Sequence, residues 1–183
     1  GYDSLRTYNL TGRGVKSYKM PGIYQPAVYA EADKLYFVAN SSLYSFDGEK
    51  IEWLFSWQNK VPQLFFLQKT NRGFVGFTQK NQPYAYQLSP GKAMPIALFE
   101  KGTLIQDINE TNNQIWVGTT KGAYCFDKWL KPAFGGYCFF EERSISRITC
   151  DREGTFWFAS LDKGIFKVPN LETRLFPYQD EAI

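Results

Sequence analysis

The sequence has 183 residues, is rich in aromatic side chains (16 Phe, 12 Tyr and 5 Trp) and contains no histidine. This length suits one domain with a substantial core, and the lack of histidine excludes Ser-His-Asp nucleophiles and His-containing zinc sites. The formal net charge is only +3 and the charged residues are scattered, which argues against a basic groove for nucleic acid. We therefore expect no metal, no cofactor and no nucleic-acid partner, and a membrane contact only through flanking segments.

The first predicted elements are two short strands over 5–10 and 15–20. They precede a series of repeats and match only the last two strands of one repeat. We interpret residues 1–22 as half of a four-stranded unit.

Four repeats follow, each centred on an aromatic residue within a short apolar run. The central residues are spaced by 38, 42 and 41 positions and are Tyr36, Phe74, Trp116 and Trp157. Three positions before each of them stands a residue type that tolerates a positive φ at a tight turn: Asp33, Asn71, Asn113 and Gly154. A period near 40 residues is typical of the four-stranded blades of β-propellers.

Each repeat contains four predicted strands separated by Gly, Pro or Asn, with no helical period. The first strands include 104–108 and 145–150, and the second strands cover 35–38, 74–77, 115–118 and 156–159. The third strands cover 42–47, 83–88, 122–127 and 164–169, and the outermost ones 51–55, 94–99, 136–140 and 173–177. The sequence therefore predicts an all-β chain, a single β-propeller domain with blades over 23–60, 61–100, 101–142 and 143–178. About four blades and a half blade make a small, open or partial ring, whose exposed ends favour self-association as a dimer.

The fourth repeat resembles a known family. Its segment 148–160, ITCDREGTFWFAS, followed by KGIF at 163–166, is similar to the two-component regulator propeller repeat. That repeat combines an acidic residue, a Gly turn, an apolar residue, Trp, a small residue and Ser or Thr, then Gly, an apolar residue and an aromatic. The third repeat is similar over 113–119 and 122–124, whereas Tyr36 and Phe74 replace the Trp in the first two repeats.

The resemblance implies a non-catalytic ligand-sensing module, the periplasmic sensor region of a bacterial histidine kinase or hybrid two-component protein. The kinase domain would then lie elsewhere in the full-length protein. No catalytic residues are carried over, because the family's repeat motif is a folding signature.

The alternative function is that of a propeller-based carbohydrate-active enzyme, a glycosidase or lyase that uses carboxylates. Such chemistry needs two carboxyl groups about 5–9 Å apart, and the candidate pairs are Glu141 with Glu142, Glu31 with Asp33, and Asp107 with Glu110. All of them lie at predicted turns, where solvated side chains are the more common case. Asp151 is similar to the Asp of an Asp-box turn, so we expect it to bind local backbone together with the Gly154 turn.

Candidate ligand-binding residues lie in the connections between second and third strands and between blades. Lys80, Lys121 and Lys163 would share one rim with Asn40, where several cations attract a small anionic ligand such as an acidic sugar. The alternative is that they are ordinary surface lysines. Trp57 is placed either to stack on a sugar ring or to pack between blades.

Three cysteines leave two possibilities open. Cys125 and Cys138 lie in consecutive predicted strands, so a hairpin would allow a disulfide in an oxidising compartment. Alternatively, these two and Cys150 are buried thiols that fill small apolar spaces.

Overall fold

The computed structural model describes residues 4–8, 14–20, 24–79, 84–169 and 171. The predicted outer strand over 173–177 and Lys80 lie outside this part. The described residues form strands and one short 3-10 helix, without an α-helix, so the predicted all-β class is confirmed. In chain order the strands are β1 (Ser4–Tyr8), β2 (Gly14–Lys19), β3 (Tyr24–Glu31), β4 (Lys34–Ala39), β5 (Ser42–Phe46), β6 (Ile51–Ser56), β7 (Phe66–Thr70), β8 (Gly73–Phe77), β9 (Ala85–Ser89), β10 (Lys92–Ile96), β11 (Ile105–Thr111), β12 (Gln114–Thr119), β13 (Gly122–Phe126), β14 (Ile145–Cys150), β15 (Phe156–Ser160) and β16 (Gly164–Val168).

Within the described residues these strands form five antiparallel sheets in which neighbours along the chain pair with each other. The N-terminal hairpin contains β1 and β2. The first sheet contains β3 to β6, the second β7 to β10, the third β11 to β13 and the fourth β14 to β16. Short turns join the strands of one sheet, as expected for antiparallel pairs.

Tight turns join the first and second strands of each sheet, but the sequence located their left-handed residues only in part. Asn113 and Gly154 have the expected positive φ, 61° and 84°. In the first two repeats the prediction was wrong by a single position or two, because Ala32 (φ 51°) and Gly73 (φ 97°) occupy the left-handed region instead of Asp33 and Asn71. Turn composition thus located each turn, while its exact geometry depends on the strand register.

The core lies between consecutive sheets. Four separate clusters of buried side chains join the hairpin to the first sheet, the first to the second, the second to the third, and the third to the fourth. Trp116 is fully buried in the last cluster, where its ring contacts Phe139, Phe156 and Phe158 at centroid distances of 5.0 to 5.5 Å. Most of the aromatic content therefore serves to pack one sheet on the next.

Phe74 does not occupy the position that the repeat spacing assigned to it. Tyr36 and Trp116 are directed toward the sheet that follows their own, whereas Phe74 packs back on the first sheet. Val75 takes the equivalent position toward the third sheet. The alignment of the second repeat with the others was wrong by one residue. In a strand, a shift of one residue moves a side chain to the opposite face.

The third sheet lacks the predicted outer strand over 136–140. A connection of residues 127–144 runs there instead and contains the 3-10 helix Phe134–Gly136. Phe134, Gly135, Gly136 and Phe140 all have positive φ, which is incompatible with a continuous strand. Single bridges, Phe126 to Pro132 and Ala123 to Phe139, attach the connection to β13.

In two cases the first strands of consecutive sheets lie side by side: β3 lies next to β7, and β11 lies next to β14. Side chains join the latter pair. Asp107 accepts a hydrogen bond from the Ile148 N–H (2.8 Å), and Asn109 donates one to the Ile148 carbonyl (2.8 Å). Gly118 permits this approach, since a Cβ there would lie 2.6 Å from the Ile145 carbonyl oxygen.

Candidate functional site

A cavity of about 450 Å³ lies along the first strands of the first three sheets, β3, β7 and β11. Volumes of this size are typical of small-molecule sites. Polar groups and a few apolar ones line it: Val28, Tyr29, Ala30, Leu67, Gln68, Ile108, Asn109, Glu110, Thr111, Asn112 and Asn113. The cavity therefore needs three sheets to be assembled.

Glu110 is the centre of the polar network in this cavity. Its Oε2 accepts hydrogen bonds from Gln68 Nε2 (2.5 Å) and from the Tyr29 hydroxyl (3.5 Å). Its Oε1 forms an ion pair with Lys128 Nζ at 2.5 Å. One carboxylate thus joins β3, β7 and the connection that follows β13.

Tyr29 supplies an aromatic wall as well as a hydroxyl. Its ring lies 6.3 Å from that of Tyr36 and 6.2 Å from that of Phe74, measured between centroids. Burial, followed by the nearby Glu110 and Glu31 carboxylates, raises the pKa of Tyr29 to about 12. The hydroxyl is therefore protonated at physiological pH and available as a donor.

The charges around the cavity are balanced. Lys128 pairs with Glu110, and Lys69 pairs with Glu31 through Nζ and Oε2 at 2.5 Å. Asn112 and Asn113 add two amide side chains at the β11–β12 turn. Their φ values of 51° and 61° reflect the tolerance of Asn for left-handed conformations. Such a lining suits a neutral, hydrogen-bonding ligand better than a strongly charged one.

The predicted cationic rim lies at the opposite ends of the strands. Asn40, Lys121 and Lys163 occupy the turns between the second and third strands of the first, third and fourth sheets. Acidic groups share these turns: the Glu142 N–H donates to the Lys121 carbonyl (3.1 Å), and Asp162 pairs with Arg143 at 3.3 Å. The anion site at this rim stays a prediction, and it is separate from the cavity.

Trp57 packs between sheets, which is one of the two roles predicted for it. It is 3% exposed and belongs to the core between the first and second sheets. Its backbone N–H donates to the Ser41 carbonyl at 2.9 Å. Its ring is therefore inaccessible to a sugar, and the stacking role predicted for Trp57 is wrong.

One carboxylate pair of the enzyme alternative, Asp107 with Glu110, is not arranged for joint chemistry. Asp107 and Glu110 lie three positions apart on β11, so their side chains leave opposite faces of the strand. Asp107 contacts β14 and Glu110 contacts Gln68 and Lys128. Burial raises the pKa of Asp107, but both carboxylate oxygens already have partners, Ile148 N–H and Arg147.

Asp151 stabilises its turn as expected. Its Oδ1 accepts hydrogen bonds from the backbone N–H groups of Glu153 (3.0 Å) and Thr155 (2.9 Å), and its Oδ2 accepts one from Trp157 Nε1 (2.9 Å). The hydrogen bond from the Trp157 indole lowers the pKa of the Asp151 carboxyl most, and the two backbone N–H groups lower it further. The Gly154 N–H completes the turn by donating to the Asp151 carbonyl at 3.1 Å.

All three cysteines are free thiols. Cys125 is directed into the core between the third and fourth sheets, whereas Cys138 contacts Tyr124 on the other face of β13. A disulfide between them would need two side chains on one face. Cys125 is fully buried, but Cys138 and Cys150 are only partly so.

Sequence reasoning missed the cavity residues Tyr29 and Gln68 and considered Glu110 only as a partner of Asp107. They lie on three strands separated by about 40 residues and share no motif. The repeat itself was the available signal, because these residues all lie on the first strands of their repeats.

Metal and membrane features are absent from the described ranges. No group of three or more His, Cys, Asp or Glu side chains there is arranged to hold a metal ion. Nor does that part of the chain contain a helix long and apolar enough to cross a membrane.

Comparisons with known proteins rest on structure, since no protein-family model and no curated protein matches the sequence. The extracellular domain of BT4673 from B. thetaiotaomicron, described as a hybrid two-component system, is similar with a TM-score of 0.61 at 17% identity. The extracellular domain of BT3049 from the same organism, described likewise, gives 0.55 at 18% identity. PorZ, a surface component of the type-IX secretion system of Porphyromonas gingivalis, gives 0.56 at 12% identity.

These alignments cover 93%, 82% and 91% of this chain but only 24%, 22% and 30% of the respective structures. The chain thus spans about a quarter of the length of the structures it resembles. At this level of identity the comparison shows a shared fold. The chain is an all-β array of serial antiparallel sheets of the kind found in extracellular domains of bacterial signalling proteins.

Proposed function

We propose that the chain is an arc of a β-propeller that acts as a non-catalytic, ligand-sensing part of an extracytoplasmic two-component receptor. Support comes from the similarity to the extracellular domains of BT4673 and BT3049. The sequence resemblance of the third and fourth repeats to the two-component regulator propeller repeat points the same way. A histidine kinase domain would lie outside this chain, on the far side of a membrane.

The observation that carries the sensing role is the cavity around Glu110. Three sheets contribute Tyr29, Gln68 and Glu110, so a ligand bound there contacts several repeats at once. A ligand that changes the relative position of sheets can report its presence at a distance, because packed sheets move as units.

The ligand class that fits best is an uncharged carbohydrate. Sugar hydroxyls match amide and carboxylate groups, and the face of a sugar ring matches an aromatic ring such as that of Tyr29. An anionic ligand is less well supported at this cavity, because Lys69 and Lys128 are already paired with carboxylates.

The binding test uses the purified chain and a panel of neutral oligosaccharides of four to eight sugars derived from glucans, xylans, mannans and galactans. Polygalacturonate fragments serve as the acidic arm. We expect at least one neutral oligosaccharide to bind by isothermal titration calorimetry. Tyr29→Phe and Gln68→Leu should each raise its Kd about tenfold, the cost of one lost hydrogen bond.

The control is Lys50→Gln, which breaks an exposed ion pair with Glu52 on the first sheet and should leave the Kd unchanged. Lack of binding across the panel, or binding that ignores both cavity variants, would contradict the proposal. Preferential binding of the acidic fragments would favour the lysine rim instead.

The enzyme alternative is tested in the same experiment. A glycosidase or lyase would shorten the bound oligosaccharide, whereas a sensor leaves it intact. We expect no new reducing ends after prolonged incubation, and their appearance would overturn the non-catalytic assignment.

We also propose self-association as a dimer through the face of the fourth sheet that no described residue covers. Ile165 is 69% exposed there, and Trp157 stands at the position where Tyr36 and Trp116 are covered by a following sheet. Sedimentation should show a dimer that Ile165→Lys converts to a monomer. A monomer in the unmodified protein would refute this part.

A further inference from the structure

We propose that the connection over 127–144, called the strap below, responds to a ligand in the cavity. Lys128 of the strap forms an ion pair with Glu110. A ligand that binds Glu110 in its place releases Lys128 and alters the contact of the strap with the fourth sheet. This inference rests on the proposed function and adds to it the route from the cavity to the end of the array.

One end of the strap is attached to the cavity and to the second sheet. Lys128 Nζ pairs with Glu110 Oε1 at 2.5 Å and also donates to the Lys69 carbonyl at 3.3 Å. The Lys128 carbonyl accepts a hydrogen bond from the Asn71 N–H in the β7–β8 turn (2.9 Å). Beside it, the Arg72 guanidinium lies 5.7 Å from the centre of the Trp129 ring. The strap therefore extends beyond its own sheet to reach the preceding one.

The conformation of this end is locally determined. Asp127 Oδ1 accepts hydrogen bonds from the backbone N–H groups of Trp129 (2.7 Å) and Lys131 (2.9 Å). The Asp127 N–H in turn donates to the Lys131 carbonyl at 3.0 Å. The loop that carries Lys128 is thus a compact unit, and a displacement of the lysine displaces the whole unit.

The other end of the strap packs on the fourth sheet. The Phe140 ring stacks on Phe166 with centroids 4.4 Å apart and contacts Phe158 at 5.0 Å. In the middle, Phe134 and Phe139 contact the ring of the buried Trp116. The strap is therefore in contact with the second, third and fourth sheets, and it joins the cavity to the face of β15 and β16.

The ion pair at Glu110 is suited to exchange with a ligand. The Lys128 side chain is 13% exposed and that of Glu110 is 30% exposed, so the pair is largely desolvated, while Glu110 also lines the cavity. An ammonium group so buried is strongly disfavoured once its carboxylate is engaged elsewhere. A ligand hydroxyl that takes the place of Nζ at Oε1 would leave Lys128 more stable in solvent than in its present position.

The first test needs no ligand. Hydrogen exchange followed by mass spectrometry is compared between the unmodified protein and Glu110→Gln, with Glu31→Gln as matched control because it breaks the other glutamate–lysine pair beside Tyr29. We expect exchange in 128–131 and 138–141, and at the Asn71 N–H, to rise at least about fivefold in Glu110→Gln only, as loss of the contacts that close this segment permits local opening. Peptides from β4 and β5 should be unchanged.

Lys128→Met removes the same ion pair from the other side and should give the same local pattern. Exchange within about twofold of that of the unmodified protein in both variants, or a uniform rise across all sheets, would overturn the proposal that the ion pair holds the strap in place. The same exchange pattern in both variants would show that the strap is released locally and that neither substitution merely destabilises the whole protein.

The second test adds the neutral oligosaccharide from the binding panel that gives the lowest Kd. Its binding should raise exchange at 128–131 and change exchange at 138–141. An oligosaccharide that binds with no effect on these residues would overturn the inference and leave the proposed function intact. Absence of any binder, with the strap still loosened in Glu110→Gln and Lys128→Met, would count against the proposed function and against the ligand as the trigger.

Discussion

Trp116 and Trp157 occupy the same position in successive repeats. Replacement of each by Ala compares a sheet face that the next sheet covers with one that no described residue covers. Trp116 is fully buried between the third and fourth sheets, with Phe134, Phe139, Phe156 and Phe158 around its ring. Trp157 lies on the outer face of the fourth sheet, where Lys167 Nζ is 5.2 Å from the ring centre.

The expected magnitudes differ clearly. Truncation of a buried Trp to Ala costs about 3–5 kcal/mol, and Trp116 loses no hydrogen bond in addition, because within the described residues its Nε1 has no partner. Trp157→Ala loses a partly exposed ring, a surface cation–π contact and the exposed Nε1 hydrogen bond to Asp151, about 1–2 kcal/mol in total. The difference of about 2 kcal/mol should lower the urea midpoint of Trp116→Ala by about 1 M relative to Trp157→Ala, at a slope of about 2 kcal/mol/M.

Urea titrations followed by circular dichroism measure this difference without relying on the fluorescence of the replaced residue. Trp116→Phe serves as the control and should recover most of the lost stability, since it keeps an aromatic ring and removes an unpaired buried N–H. Equal losses for the two Ala variants would refute the argument that packing between sheets holds the array together. A larger loss for Trp157→Ala would show that its outer face is covered in solution.

Two further outcomes are expected. Burial raises the folded-state pKa of Asp107, so its contribution to stability is complete below the usual Asp pKa of about 3.9 and is lost as pH rises through the higher folded value. The urea midpoint should therefore depend less on pH above pH 4 in Asp107→Asn than in the unmodified protein. An unchanged pH profile in this variant would contradict the raised pKa. Burial also raises the pKa of Cys125 to about 12, so maleimide should modify Cys138 and Cys150 first in the native protein and all three thiols in urea, as counted by mass spectrometry, whereas two unreactive thiols in urea would indicate a disulfide.

The strands and their order were largely predictable from the sequence because their signals are local. Gly, Asn and Asp mark the turns, and apolar runs of four residues mark the second strands, each of which the structure contains. The self-bonding turn at Asp151 was predictable for the same reason, since an Asp side chain reaches only the next few backbone N–H groups. A repeat of about 40 residues then implies that the same arrangement recurs along the chain.

The errors occurred where one residue changes the outcome. Phe74 was assigned to the wrong face by a single position, and the outer strand of the third sheet was predicted in a segment where Phe134, Gly135 and Gly136 turn the backbone left-handed. Composition shows an apolar run in both places. It does not show which face of the strand the run presents or whether it pairs with a neighbour.

The sequence by itself determined the all-β class, the positions of most strands and the turns between them, because these depend on residues close together in the chain. Only the tertiary structure decided the cavity and the strap. Tyr29, Gln68, Glu110 and Lys128 come from three sheets and up to 99 positions of separation, and their contacts exist only once the sheets are packed on one another. The burial of Trp57 and the exposure of Ile165 have the same origin, since each depends on whether another sheet lies against that face.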